Sequence, residues 1–458
     1  MAQSLAELDK NHLIHPLISW SRHESRGPTI LTSASGVHVT DSDGNTFIDG
    51  FSGLWCVNAG YGQQSIVDAV TEQMKHLAYA TGYYHYSSEP TIRLAAQLAK
   101  LAPGNLNRVF FTLGGSDAID SAIRLIRYYF NVTGRTKKKH MIALEKGFHG
   151  SSTMGSGLTA LSPFHVDFDA PTPLQHHIPS HYAYRNPAGE TAEAIIASSV
   201  ASLKAKVQEL GAENVAAFFA EPVQGAGGVI VPPDGWLKAM RDAARDLGIL
   251  FVADEVITGF GRTGTMFGCE YDGVVPDLMT VAKGLTSGYL PMGALLMSEE
   301  IYRAIADNVP DGRPVGHGFT YSGHPASAAA GLAALRLYTE GGLLENGRKA
   351  ADRFIARLNG LKDHPLVGDV RARGMLAGVE LVTDKVNRTK PDGELKLGDH
   401  LVRLGFENRV IYRTFPDGVV GFAPPLSCTE DDVDVIADRF TKVLDGLLLI
   451  NEVRAALA

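Results

Sequence analysis

Apolar residues are arranged in two ways along the middle of the chain. Amphipathic stretches, with apolar residues three and four positions apart, predict helices at 65–77, 90–101, 116–130, 191–210 and 235–247. Short runs that are apolar throughout predict strands covered on both faces, at 109–112, 140–144, 215–220, 249–253, 278–282 and 294–297. Because helices fall between several of these runs, we expect an α/β fold with a mostly parallel, doubly wound sheet over about residues 61–315.

The two ends of the chain show different patterns. Residues 28–50 alternate apolar and polar positions around the turn sequence DSDGN, which is typical of a hairpin. After Pro325 the pattern predicts two long amphipathic helices, a mixed segment at 367–420, and a last helix that begins with a capping box at Thr429. We therefore expect a large domain at 61–315 and a smaller α+β domain built from both termini, at 1–60 and 316–458.

Composition narrows the class of protein. The 458 residues are 45% hydrophobic and 20% charged, so a packed core is expected and a disordered chain is not. With 42 Lys and Arg against 50 Asp and Glu, the net charge of −8 makes nucleic acid and anionic membranes poor candidate partners. Three widely spaced cysteines, no apolar leader and no apolar span predict a cytoplasmic protein with no membrane segment. The 16 histidines show no metal-ligand spacing, so no metal is expected.

One predicted strand ends in two carboxylates. The segment LGILFVADEVITGFGRTG at 247–264 carries Asp254 and Glu255 at the carboxyl end of a buried strand, where open α/β sheets bind ligands. A P-loop NTPase fits poorly because the dipeptide Gly-Lys, which such a loop requires, does not occur in the sequence. A dinucleotide site also fits poorly, since the GxGxxG at 259–264 is followed by TMFGCEYDGVVPD, which is too rich in Gly and Pro for the required helix.

A lysine follows at the end of the next predicted strand. The run DLMTVAKG at 277–284 places Lys283 at the same edge of the sheet as Asp254, so both side chains should face one crevice. A desolvated lysine loses its proton more easily and attacks aldehydes, and a neighbouring carboxylate can hold a pyridinium proton. A pyridoxal phosphate site requires this pair. The turn LGGS at 113–116, just before a helix, offers backbone N–H groups and the positive end of a helix dipole to a phosphate.

Six motifs, taken together with these residues, resemble one known family. They are LGGSDAIDSAIRLIR (113–127), EKGFHGSS (145–152), AEPVQGAGG (220–228), VADEVITGFGRTG (252–264), TVAKGLTSG (280–288) and HGFTYSGHP (317–325). In order and over the whole chain, they are similar to class III aminotransferases, pyridoxal phosphate enzymes of fold type I. The segment GLWCVNAGYG (53–62) looks most like the ω-aminotransferases that use amines with pyruvate. The resemblance implies a homodimer with active sites at the subunit interface, and a tetramer stays open.

The resemblance also implies a role for each residue around the cofactor. Lys283 is implied to form the Schiff base and to move the proton, and Asp254 to pair with the ring nitrogen. The other cofactor-binding residues that it implies are Gly115 and Ser116 at the phosphate, joined there by Thr320 of the partner subunit, and Phe148, His149, Glu221 and Val256 around the ring. Without the resemblance, Phe148 and Val256 would be taken for ordinary core residues. The role of Glu221 stays open between the cofactor network and a substrate ammonium group.

Other positions bear on the substrate. Amino-acid-specific members of the family carry a carboxylate-clamping arginine where this chain has Gly421. Arg413, in IYRTFPDG, matches the mobile arginine of amine:pyruvate enzymes, which turns inward to bind a carboxylate. Ile257 stands where amino-acid-type relatives place a glutamine. Trp55 and Tyr84 match the aromatic walls of the substrate pockets, and Phe148 is expected to contact the substrate as well as the cofactor.

The resemblance therefore implies a transaminase that moves an amino group from a primary amine to pyruvate. The amine is an aryl or alkyl amine, a diamine or an ω-amino acid, and the products are an aldehyde or ketone and alanine. Two alternatives stay open at this point. An aminomutase or racemase on the same fold requires the same Lys283 and Asp254, and a regulator could keep the fold without its chemistry.

Overall fold

The computed structural model describes residues 3–170 and 172–457. Its α-helices, in chain order, are α1 (Leu5–His12), α2 (Trp20–Arg26), α3 (Ser52–Trp55), α4 (Gln64–His76), α5 (Glu89–Leu101), α6 (Gly115–Val132), α7 (Ala192–Leu210), α8 (Trp236–Asp246), α9 (Glu299–Ala306), α10 (Pro325–Thr339), α11 (Leu343–Asn359), α12 (Leu397–Glu407), α13 (Glu430–Leu448) and α14 (Asn451–Ala455). Its strands are β1 (Leu31–Ser35), β2 (His38–Asp41), β3 (Thr46–Asp49), β4 (Arg108–Thr112), β5 (His140–Leu144), β6 (Gln175–Ile178), β7 (Val215–Ala220), β8 (Leu250–Asp254), β9 (Leu278–Val281), β10 (Gly293–Met297), β11 (Val367–Arg373), β12 (Leu376–Leu381), β13 (Val410–Ile411), β14 (Arg413–Thr414) and β15 (Val419–Phe422).

A seven-stranded sheet forms the centre, in the order β4-β10-β9-β8-β7-β5-β6. The strands from β9 through β6 run parallel, whereas β10 runs antiparallel to both β9 and β4. The connection from β9 to β10, residues 282–292, holds only a short 3₁₀ turn, and a parallel crossover needs a dozen or more residues and usually a helix. This loop therefore stays at the edge of the sheet where the parallel strands end.

Both faces of this sheet are covered, as the continuous apolar runs predict. Every residue of β7 is buried. Phe218 belongs to the apolar cluster that contains Trp236 of α8, whereas Phe219 belongs to the cluster that contains Ile126 of α6. Because neighbouring strand residues point to opposite faces, two apolar layers need a strand without polar alternation. The predicted α/β fold with a mostly parallel sheet is confirmed.

Two smaller four-stranded sheets come from the ends of the chain. The predicted hairpin is part of a meander, β1-β2-β3, whose β2–β3 turn is closed by the Asp41 carboxylate accepting from the N–H groups of Asp43 and Asn45. The C-terminal β13 adds to this sheet parallel to β3, so both termini build it together. The other sheet has the order β11-β12-β15-β14. The capping box at Thr429 is present, and the division of the chain at 61 and 315 stays a prediction.

Two features differ from the expectations. The helix after Pro325 was expected to be amphipathic, and this is wrong for α10, which is buried on nearly all sides and packs against α4 and α5. Its many alanines give it the short side chains that such close packing on several sides requires. Strand β6, with the sequence QHHI, was missed because two histidines interrupt its apolar pattern. Within the described ranges, no helix combines the length and apolar character that crossing a membrane requires.

Candidate active site

A cavity of about 330 Å³ opens at the carboxyl ends of β7, β8 and β9, beside the first turn of α6. The predicted residues that line it share this sheet edge or the loops next to it. They are Gly115, Ser116, Phe148, His149, Glu221, Asp254, Val256, Ile257 and Lys283. These nine are about half of the residues that line the cavity. Asp254 and Lys283 meet there because residues that follow neighbouring parallel strands share one edge, whereas the resemblance supplied most of the others.

Lys283 and Asp254 face the same cavity. Asp254 is the last residue of β8 and lies opposite Thr280 of β9, and Lys283 follows β9 at the start of the 3₁₀ turn. Burial lowers the pKa of the Lys283 ammonium, and the charge of Asp254 offsets only part of this effect. The amine is therefore more readily available in its unprotonated, nucleophilic form than an exposed lysine.

Asp254 is held on both of its carboxylate oxygens. One oxygen lies 2.8 Å from Nδ1 of His149, and the other accepts from the Thr280 hydroxyl and the Val256 N–H, each at 3.1 Å. Burial alone would lower the pKa of His149, but the hydrogen bond and the charge of Asp254 outweigh it, so the pKa of His149 lies above its ordinary value. The buried pair fixes the direction in which Asp254 presents its charge.

Glu221 is a second buried carboxyl group in the cavity wall. It accepts hydrogen bonds from the N–H of Phe148 at 3.0 Å and the N–H of Gly225 at 2.9 Å. Burial raises the pKa of Glu221 to about 7. The charge of His149 opposes this rise, and the charge of Asp254 adds to it. Glu221 therefore fixes the backbone that carries the Phe148 ring, a contact that the sequence could not show.

The first turn of α6 suits a phosphate. No side chain caps this helix, and the N–H groups of Gly115, Ser116 and Asp117 donate to no acceptor among residues 3–170 and 172–457. A Cβ at Gly115 would lie 2.8 Å from a Val256 methyl carbon, so only glycine leaves the backbone bare at this point. Unpaired N–H groups at a helix start attract a dianion. With a deprotonatable lysine and a fixed carboxylate nearby, the cavity fits pyridoxal phosphate.

Four predicted residues do not line this cavity in the single chain. Trp55 is buried in an apolar cluster that reaches Ile257, and its ring lies 4.4 Å from that of Phe51. Tyr84 is 83% exposed, and Thr320 lies on an exposed loop whose carbonyl accepts from the Tyr79 hydroxyl. Arg413 is part of β14, with its guanidinium carbon 5.8 Å from the centre of the Phe415 ring.

The sequence analysis missed one wall of the cavity. The loop between β9 and β10 contributes Thr286, Gly288, Leu290, Pro291 and Met292. Its short length was the available signal, since a loop that cannot cross the sheet must return along the edge where it began. If β10 ran parallel to β9, this connection would instead have to cross to the edge of the sheet away from the cavity.

The chain matches the family model "Aminotransferase class-III" over residues 20–444. It is 39% identical over 442 residues to the putrescine–pyruvate aminotransferase of Pseudomonas aeruginosa, covering 96% of this chain and 95% of that one. Among solved structures, a thermostable (S)-enantioselective ω-transaminase from Thermomicrobium roseum matches with a TM-score of 0.93 at 38% identity, over 96% and 98% of the two chains. The ω-transaminase of Pseudomonas jessenii in complex with PMP matches with a TM-score of 0.95 at 36% identity, over 98% and 99%.

The chain belongs to the class III aminotransferases. It is a fold-type I transaminase that uses pyridoxal 5′-phosphate and transfers amino groups between small-molecule amines and oxo acids. The predicted family, fold and cofactor are confirmed. The role assigned to each individual residue stays a prediction.

Proposed function

We propose that this aminotransferase moves the amino group of a primary amine to pyruvate, in two half-reactions that give an aldehyde or ketone and then alanine. The donor is an aryl or alkyl amine, a diamine or an ω-amino acid. The P. aeruginosa relative, named for putrescine and pyruvate, supports this class of donor and acceptor. The alkyl or aryl part of such a donor binds best against an apolar wall. The carboxylate of the acceptor pyruvate binds best to a cationic side chain.

The chain's own residues have separate tasks in this proposal. The bound cofactor supplies a pyridinium ring that takes up the electrons released at the substrate carbon. Lys283 would remove the proton from that carbon and deliver it to C4′ of the cofactor, and its lowered pKa favours the removal. Asp254, fixed by His149, keeps the ring nitrogen protonated. The first turn of α6, together with Ser116, holds the phosphate.

The wall near Ile257 is apolar. Ile257 lines the cavity, and behind it Phe51, Trp55, Val229 and Ala423 complete one buried cluster, with the Phe415 ring packed against it. A Cβ at Gly421 would come within 2.7 Å of this ring, so the space where amino-acid-specific relatives carry their clamp arginine is filled by an aromatic side chain. Such a wall suits the hydrocarbon part of an amine and offers no fixed cation.

Arg413 is the observation that carries the proposal. Its guanidinium is partly buried beside Phe415, and burial lowers the pKa of Arg413. In the part of the chain that the structure describes, it forms no ion pair with any carboxylate. A partly buried arginine without an acidic partner is suited to bind a substrate carboxylate by donating two parallel hydrogen bonds.

The experiment separates the two half-reactions with Arg413→Ala. We expect the KM for pyruvate to rise roughly 10- to 100-fold, the cost of losing a hydrogen bond to a charged group. The rate of the half-reaction with an amine that lacks a carboxylate should change less than about twofold, because the guanidinium does not contact such a donor. Arg403→Ala, which removes an exposed arginine paired with Glu407 on α12, is the matched control.

Two results would contradict the proposal. If the wild type forms no alanine from pyruvate with any donor of the three classes, the amine:pyruvate assignment fails, and product analysis then tests a racemase or aminomutase. If alanine forms but Arg413→Ala leaves the pyruvate KM unchanged, another group binds the acceptor carboxylate.

We also propose that two chains form a homodimer with the active sites at their interface. Large apolar and aromatic side chains are exposed on two adjacent loops, and we call them the aromatic loop surface: Tyr79, Tyr83, Tyr84, Tyr86, Val315 and Tyr321. The rings of Tyr79 and Tyr321 lie 6.0 Å apart, which makes the surface continuous between the loops. Monomeric proteins rarely expose such a patch, and Thr320 lies within it.

A cytoplasmic location fits the three free cysteines.

A further inference from the structure

The N-terminal arm, residues 3–27, is held to the rest of the molecule by few contacts. Neither of its helices, α1 and α2, contains a buried residue. One ion pair, between Arg22 and Asp399 at 2.9 Å, connects the arm to α12. The packing that stabilises the other elements is therefore absent here, and polar contacts have to hold the two arm helices together.

Three side chains of the arm converge on one point. One oxygen of Asp9 lies 2.9 Å from Nε2 of His15, and the other lies 2.7 Å from Nε2 of His23. The two imidazole rings are 4.3 Å apart. These side chains are only 15%, 30% and 11% exposed for Asp9, His15 and His23, so they are largely withdrawn from water on an otherwise exposed arm.

We propose that Asp9, His15 and His23 bind a divalent metal ion of the zinc class, which includes cobalt and nickel. Two imidazole nitrogens and one carboxylate oxygen form a ligand set that these ions prefer, and the three ligand atoms lie within 4.8 Å of one another. The site is separate from the transaminase cavity, whose lining includes none of these residues. No family motif identified in the sequence covers them.

The geometry requires little rearrangement to accept the ion. Tetrahedral ligands at about 2.0 Å from zinc lie about 3.3 Å from one another. The observed nitrogen–oxygen separations of 2.7 and 2.9 Å run to different oxygens of Asp9 and are shorter by about 0.4 to 0.6 Å. The ligand atoms therefore have to move apart slightly, and the carboxylate has to turn so that one oxygen faces the ion. Neither Nδ1 atom has a hydrogen-bond partner among the described residues, so each ring can carry its proton there and offer the Nε2 lone pair.

The exposed part of His15 gives the ion a way in and leaves coordination positions open to water. The bound ion then links α1 to α2 and orders the arm. The sequence analysis did not single out this set, because its spacing, an aspartate followed by histidines six and fourteen positions later, lies across two helices and a loop.

The test adds Zn²⁺ or Co²⁺ stepwise to the cofactor-loaded enzyme. Calorimetry measures the binding of Zn²⁺, and visible absorbance measures the binding of Co²⁺. We expect one ion per chain in the wild type. Asp9→Asn and His23→Gln should each weaken binding at least tenfold, and His15→Gln provides a third variant. His12→Gln is the matched control, because His12 is an exposed histidine at the end of α1 outside the cluster.

A second measurement follows the order of the arm. Zinc should slow tryptic cleavage at Lys10, Arg22 and Arg26 in the wild type and in His12→Gln, and should leave cleavage of His23→Gln unchanged. Because no residue of either arm helix is buried, the variants should keep their cofactor absorbance and transaminase activity. Absence of one-to-one binding in the wild type, or equal binding in the three cluster variants, would show that hydrogen bonds alone join these side chains and would overturn the proposal.

Discussion

The cavity around Lys283 and the aromatic loop surface around Tyr84 differ in how completely one chain builds them. In the cavity, Asp254 has three hydrogen-bond partners from its own chain, and Glu221 has two. On the aromatic loop surface, Tyr84 is 83% exposed and Tyr86 is 67% exposed. The single chain thus encloses the residues assigned to proton transfer, whereas Tyr84 of the assigned substrate wall and Thr320 of the assigned phosphate site lie open.

The difference follows from the elements that carry each region. Residues at the ends of buried strands are fixed by the sheet, since neither backbone nor side chain can move without disturbing two packed layers. Residues on long surface loops lack that support until another surface covers them. We therefore expect changes in the cavity to abolish chemistry within each chain, and changes on the loops to act through the partner.

The largest expected effect comes from Lys283→Ala. Loss of the nucleophile and of the proton carrier should lower transamination by at least about a thousandfold, since each of these roles contributes several orders of magnitude. The fold and the phosphate cradle remain, so the cofactor should still be detected by its absorbance. Lys206→Ala, which removes a surface lysine paired with Glu209, should leave alanine formation unchanged. Activity above about a tenth of wild type in Lys283→Ala would remove Lys283 from the mechanism.

The same contrast explains which parts of the site the sequence could predict. Asp254 and Lys283 were predictable because two apolar runs end at one sheet edge, a constraint that acts locally. The pairing of Asp254 with His149 and the contact of Glu221 with the Phe148 backbone join residues far apart in the chain, and no local pattern encodes them. The antiparallel β10 depends on the length of one loop, and the buried character of α10 depends on which helices surround it. Tyr84 and Thr320 were identified by resemblance alone.

A mixed dimer tests whether the loop residues act across the interface. One chain carries Lys283→Ala and the other Thr320→Val, and the heterodimer is purified with two affinity tags. If Thr320 binds the phosphate of its partner's site, the site that keeps Lys283 receives an intact Thr320. At limiting cofactor, this heterodimer should then show about half of wild-type activity, while the Thr320→Val homodimer binds the cofactor roughly 10- to 100-fold more weakly, the cost of a hydrogen bond to a charged group.

The opposite arrangement gives a different result. If Thr320 acts within its own chain, the heterodimer's only site with Lys283 lacks the hydroxyl, and activity falls to half that of the Thr320→Val homodimer. If wild-type chains are monomers at assay concentration, as measured by light scattering, the proposed interface itself is wrong.

The smallest expected effect concerns the pH dependence of stability and arises within the cavity. The ordinary pKa of a glutamate is near 4.5, whereas the pKa of Glu221 in the folded, cofactor-free chain is raised to about 7. Between these values the folded state holds a proton that the unfolded state has lost, so the free energy of unfolding falls as the pH rises. The slope of the free energy of unfolding against pH approaches the value for one proton, about 1.4 kcal/mol per pH unit.

Glu221→Gln should remove this slope from the apoenzyme, as measured by urea unfolding at pH values from 5 to 7. The variant should also be less stable at pH 5, because an amide has only one oxygen to accept from the N–H groups of Phe148 and Gly225. Glu209→Gln changes an exposed carboxylate and should keep the wild-type slope. An unchanged slope in Glu221→Gln would mean that Glu221 ionises near its ordinary pKa, and that water or a counter-charge reaches a carboxyl group that the single chain otherwise buries.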